Sequence, residues 1–140
     1  MYTSKQMDYI YRTRTAKQTK RALYRVLALF YDEIIKCSKD EGIKETFYKL
    51  IKVNLSYGEE ARDFFIFKRV YFDEMVGKIK GLSHRKEFIV NNALKSLIFF
   101  YEGGPCNAYS DKAFRAAFEE FGDEVIFDIL NEGSDDESKE

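Results

Sequence analysis

TAKQTKRALYRVLALFY, residues 15–31, decides the fold. At about 100° per residue, Leu23, Val26, Leu27, Phe30 and Ile34 fall on one side of a helix. Arg14, Lys17, Arg21 and Arg25 fall on the opposite side, within roughly a third of the circumference. The spacing predicts one helix from about Thr13 to Cys37, with an apolar keel and a cationic ridge. The break expected at Ser38 to Gly42 places Gly42 just past a helix end, where its freedom at positive φ is useful.

The rest of the chain repeats this pattern. A second helix is expected over Ile43–Leu55, with Ile43, Phe47, Leu50 and Ile51 inward, and a third over Glu59–Lys80, weakened at its end by Gly77 and Gly81. Ser83 reads as an N-cap, with Glu87 in the first turn of a fourth helix that runs to Tyr101. Its segment FIVNNALKSLIFFY, residues 88–101, is apolar almost all round and is expected to be the central, most buried helix. Gly103, Gly104 and Pro105 stop it. Ser110 caps a fifth helix, in which Phe114, Phe118, Phe121 and Val125 recur and Gly122 offers a break. The segment NEGSDDESKE has no apolar residue and is expected to be a disordered acidic tail.

The expected fold is therefore all-α: one compact bundle of about five helices over residues 1–131, with 132–140 as tail. A length of 140 residues suits one domain, and 45% hydrophobic content suits a full core. One Pro and eight Gly are too few for the turns of a sandwich or barrel. No apolar run approaches the roughly 18 residues of a membrane span. No secretory leader is expected, for want of an apolar stretch at the N-terminus. Cys37 and Cys106 have no metal or redox spacing, and read as reduced structural thiols in a cytoplasmic protein.

Catalysis is not expected. His84 is the single histidine, sits beside Arg85 and Lys86, and reads as a solvated surface residue. The acidic pairs Glu59-Glu60 and Asp73-Glu74 are sequence neighbours, which do not face each other on a helix. No phosphate loop, dinucleotide fingerprint or nucleophile elbow occurs. No cofactor or metal is expected.

Charge is the informative signal. The net charge of -1 conceals strong segregation. Residues 1–36 carry eight Lys or Arg against three Asp or Glu, a balance of +5, and residues 103–140 carry three against eleven, a balance of -8. No acid occurs between Asp8 and Asp32. Cations spaced along a helix can each meet a backbone phosphate. A solvated face explains cations too, but normally mixes both signs. Tyr9, Tyr11 and Tyr24 stand near enough to stack on bases, although Tyr24 also suits the border of the core.

Three segments resemble the small subunit of type III-A CRISPR effector complexes, the Csm small-subunit family. TAKQTKRALYRVLALFY is similar to that family's polar start, Lys-x-Arg-x-Leu motif and apolar helix, with Arg21, Leu23, Val26 and Tyr31 in place. The motif's Lys falls at Thr19, with Lys20 beside it. KLIKVNLSYGEEARDFF, residues 49–65, resembles a Lys-rich helix leading to Tyr-Glu-Ala-Gly-Arg. Tyr57, Gly58, Ala61 and Arg62 are present in altered order, with one residue more between Tyr and Arg. NNALKSLIFFYEGG, residues 91–104, is similar to the family's closing Phe-rich helix. The likeness covers roughly residues 13–102.

The resemblance implies a non-catalytic helical subunit that binds RNA without sequence choice along the crRNA–target duplex, in antiviral defence. Its partners would be crRNA, target RNA and the other Csm subunits, with a homodimer when isolated. The RNA-binding residues it singles out, together with the ridge, are Arg14, Lys17, Lys20, Arg21, Arg25, Lys52 and Arg62. A different class of function is a helical viral or phage protein that binds nucleic acid, or mimics it through the acidic end to inhibit a host protein. A third is a DNA-packaging coat protein with a basic first helix. The acidic tail is also a candidate competitor of RNA for the ridge.

Overall fold

In a computed structural model, residues 16–56, 75–102 and 107–138 are described, with side chains for 18–51, 75–99 and 108–130. The keel of the first segment behaves as its spacing requires. Leu23, Val26, Leu27, Phe30 and Ile34 are all fully buried, and Tyr24 joins them in the core. They do not lie on one continuous helix. α1 spans Ala16–Ala28 and α2 spans Tyr31–Cys37. Between them the Leu29 N–H reaches the Val26 carbonyl at 3.1 Å and the Phe30 N–H reaches that of Leu27 at 3.0 Å. These i→i−3 bonds tighten the turn. They carry Phe30 into the core, edge-on to Phe121 with ring centroids 5.2 Å apart. No Gly or Pro marks this break, so the sequence reads through it.

The next boundary also differs from expectation. α3 spans Glu41–Ser56, so Gly42 lies in its first turn and ends nothing. The stop comes from Ser38, which is extended, and from Asp40, whose carboxylate accepts the Ile43 N–H at 3.2 Å as a cap. Tyr31 stacks on Phe47 across the α2–α3 corner at 6.3 Å. Most of the helix expected over 59–80 lies outside the described residues. Its end is at Met75 rather than Lys80, because Gly77 (φ 80) turns the chain and donates its N–H to Asn91 Oδ1 at 2.8 Å.

α4 spans His84–Glu102 and starts as expected, with the Lys86 N–H donating to the Ser83 hydroxyl at 3.3 Å. The stop at Gly103 to Pro105 lies outside the described residues. α5 spans Asn107–Phe121, three residues earlier than the cap assigned to Ser110. Ser110 is instead buried inside the helix, sharing a hydrogen bond with Ser96 of α4. With Ala93, Ala113 and Ala117 also buried, these small residues let α4 and α5 approach closely. Gly122 (φ 95) then separates α5 from α6, Asp123–Ser138. The break resets the helical phase. Val125 is exposed, and Ile126, Ile129 and Leu130 turn inward in its place. The backbone of α6 continues into the acidic stretch that was expected to be a tail from residue 132.

Among the described residues there are six helices and no strand, so the chain is all-α as expected. The organising helix is α1, against which α3, α4, α5 and α6 all pack. The segment FIVNNALKSLIFFY is largely buried where its side chains are described, with Ile89, Val90, Ala93, Leu94, Leu97 and Ile98 in the core. α4 packs on α1 and α5 but leaves Phe88 and Phe99 exposed on its remaining side. Among the described residues, no helix is long and apolar enough to cross a membrane.

Candidate nucleic-acid interface

The ridge of α1 is not an open face. From Gln18 to Ala28 every residue is buried or partly buried. Lys20, Arg21 and Arg25 are partly buried, and each engages other groups of the chain. The Nε of Arg25 is wholly shielded from solvent. α6 is one of the helices that pack on α1. Its first turn carries Asp123 and Glu124, with Asp128 beyond. The segment of strongest negative balance therefore lies on the segment of strongest positive balance. Lys17 and Lys52 belong to the backbones of α1 and α3, but their side chains lie outside the described residues, as do Arg14 and Arg62 altogether.

A second basic surface forms where two segments distant in sequence meet. The Cys37 thiol at the end of α2 donates to the Lys80 carbonyl at 3.2 Å. This brings the α2–α3 corner against the turn that follows Met75. The approach requires Gly81. Its φ is +96, and a Cβ there would lie 2.9 Å from Cys37 Cβ. Lys36 and Lys39 flank Cys37, while Lys78 and Lys80 flank the other side of the contact. All four are exposed. Among the described residues, none of the four takes part in an ion pair.

The acids around this corner are largely occupied. Glu33 holds Lys86 at 2.8 Å, Asp40 caps α3, and Glu41 pairs with Lys44 at 3.2 Å. Asp32, one turn before Lys36, is exposed and faces it along α2. Four lysines on two segments 43 residues apart in contact thus create a locally positive, solvated surface. Next to it, His84 is exposed as expected, while Arg85 leans toward Glu119 at 3.6 Å and Glu120 at 3.9 Å. Lys86 is bound more tightly. Its hydrogen bonds to Glu33 raise its pKa above the ordinary 10.5, against an opposing desolvation effect and with lesser help from the charges of Glu33 and Glu120.

The described residues contain no group of three or more His, Cys, Asp or Glu placed to hold a metal ion. Cys37 is a free thiol, and Cys106 lies outside the described residues. The corner lysines were missed by sequence reading because two of them sit on an unremarkable helix end and two on a glycine-flanked turn. The one local signal is Gly77 and Gly81 bracketing Lys78-Ile79-Lys80. No family model, curated protein or solved structure matches the chain. The functional reading rests on the site and on the motif resemblance.

Proposed function

We propose that this chain is a non-catalytic RNA-binding protein, the small subunit of a type III-A CRISPR effector complex, gripping the RNA backbone along the crRNA–target duplex. The observation that carries RNA binding is the corner of Lys36, Lys39, Lys78 and Lys80, exposed and without ion pairs among the described residues. Ammonium groups on a solvated surface exchange counterions for phosphates readily, and they read no sequence. In the proposed complex, sequence is read by guide pairing, so phosphate grip is all the subunit must supply. The Csm setting, and with it a cytoplasmic location, rests on the motifs in residues 15–31, 49–65 and 91–104. Arg14 and Lys17, the first two cations of the stripe in sequence, are assigned to the same grip.

The test is binding of a labelled single-stranded RNA across a salt series. Four phosphate contacts predict a slope of about -2.8 in log affinity against log salt, near 0.7 per contact. That corresponds to a loss of roughly 50-fold between 50 and 200 mM salt. Changing Lys36, Lys39, Lys78 and Lys80 to Glu is expected to abolish binding with helicity intact. A second variant reverses Arg14 and Lys17. If wild type fails to bind RNA at low salt, the reading is wrong. If both variants bind like wild type, neither surface grips RNA and the reading loses its support.

One observation favours a second reading. α6 exposes Val125 and Phe127 beside Glu124 and Asp128, and its backbone runs on into the acidic stretch. An acidic, partly apolar helix is what a viral or phage inhibitor mimicking nucleic acid would present. Deleting residues 132–140 separates the two. The RNA-binding reading predicts equal or tighter RNA binding, and mimicry predicts loss of activity.

A further inference from the structure

The outer side of the α4–α5 pair carries a cluster that the phosphate grip does not use. Phe99, at 39% exposure, stacks on Tyr109 with ring centroids 5.5 Å apart and planes 22° from parallel. Lys95 Nζ lies 5.6 Å from the Tyr109 ring centre, and Lys112 Nζ lies 5.8 Å from it. Both distances are within cation–π range. Lys95 precedes Phe99 by one turn of α4, and Lys112 follows Tyr109 by one turn of α5, so each helix supplies one ring and one cation. The nearby acid of α5, Asp111, is held by Arg115 at 2.7 Å. Beneath the cluster, the Ser96–Ser110 hydrogen bond and the buried Ala93 and Ala113 fix the spacing of the two helices.

We infer that Phe99 and Tyr109 form a stacking platform for one base of a single-stranded RNA, with Lys95 and Lys112 taking the flanking phosphates. The inference rests on the RNA-binding reading and deepens it. Two ammonium groups brought to one ring repel each other, and an anion between them relieves that repulsion. Charge alone would also suit an acidic peptide. The half-exposed aromatic pair decides for nucleic acid, because a carboxylate makes no use of a π-face and a base does. It decides for single strands, because the bases of a duplex are stacked on one another. The rings are already paired and supported from below, so little side-chain freedom is lost on binding. A corner that grips phosphates and a platform that holds a base would together orient the strand across the α4 side of the bundle.

The experiment uses the full chain and two labelled 12-nucleotide RNAs, one intact and one abasic throughout. Phe99→Ala is expected to weaken the intact RNA by roughly 5- to 100-fold while leaving the salt slope unchanged. The abasic RNA should bind wild type and Phe99→Ala alike. Lys95→Gln with Lys112→Gln should instead shallow the slope by about 1.4, at about 0.7 per phosphate. Truncating Phe99 also removes its contact with Tyr109, so a modest fall in thermal stability is expected, and unchanged helicity together with unchanged abasic-RNA binding separates a binding defect from a folding one. If wild type binds RNA but Phe99→Ala binds it equally well, the platform is wrong and the corner stands. If Phe99→Ala weakens the intact and the abasic RNA to the same degree, the cluster serves charge alone and the stacking role fails. If wild type binds neither RNA, both this inference and the reading beneath it fall.

Discussion

The two basic regions of this protein resemble each other in sequence less than they differ in structure. Arg21 and Arg25 belong to a regular helical stripe, and both are partly buried in the fold. Lys36, Lys39, Lys78 and Lys80 form no pattern along the chain, and the fold gathers them at its surface. A charge stripe on a helix wheel reports only that one side avoids the local keel. It says nothing about whether another helix will arrive from far along the chain. Here α6 arrives, carrying acids, and α1 becomes the helix that every other large element touches. The charge balances of the two ends of the chain, +5 against -8, do not by themselves say which cations stay at the surface.

This contrast can be broken most severely at Gly81. Alanine there meets a strained positive φ, worth about 1–2 kcal/mol. It also places a Cβ against Cys37, for which overpacking costs about 1–3 kcal/mol. Gly81→Ala is expected to lower unfolding free energy by about 2–5 kcal/mol in urea melts. Gly77→Ala is the control, since it shares the positive φ but has open space where its Cβ would stand. Its loss should be about 1–2 kcal/mol, plus any effect on the Asn91 hydrogen bond. Equal losses at the two glycines would mean that the corner is not tightly closed.

A smaller effect sharpens the comparison from the other side. Arg25→Glu puts an acid where the shielded guanidinium engages its surroundings. A loss of about 1–3 kcal/mol is expected. Lys39→Glu, on the open corner, should stay within about 0.5 kcal/mol of wild type. The two variants should therefore exchange places between assays, Arg25→Glu scoring in chemical denaturation and Lys39→Glu in RNA binding. Arg25→Glu with wild-type stability would reopen the α1 ridge as a surface.

What was legible in the sequence follows the same division. The keel of α1, the start of α4 at Ser83 and the break at Gly122 are local matters of periodicity and backbone preference, and they were readable. The turn at Leu29-Phe30 was not, because no residue there forbids a helix. It is the core's demand for Phe30 against Phe121 that sets it. The capping role given to Ser110 failed similarly, since a serine before an apolar run looks the same whether its hydroxyl caps a helix or meets Ser96 across an interface. The phosphate-gripping set could not be assembled from spacing. Its four members depend on one contact between Cys37 and Lys80, made across 43 positions.

Lys86 gives the finest test, because it is a lysine adjacent to the corner that is already committed. Its two hydrogen bonds to Glu33, at 2.8 and 2.9 Å, link the start of α4 to α2, and Glu120 of α5 stands 3.9 Å away. These carboxylates raise its pKa above 10.5 in the folded protein. The proton is held more tightly in the folded state than in the unfolded one. The stabilisation is therefore fully present below the unfolded pKa, and it disappears as pH rises through the folded value. Lys86→Gln should lower the melting temperature slightly, by an amount that is constant from pH 6 to 9 and shrinks above about pH 10.5. High salt should reduce the same difference, since the pair is partly exposed. RNA affinity should not change, because a lysine held by two acids offers phosphate little. A Lys86→Gln variant that lost RNA binding as fully as the corner lysines would extend the grip to paired cations and erase the distinction between committed and available charge.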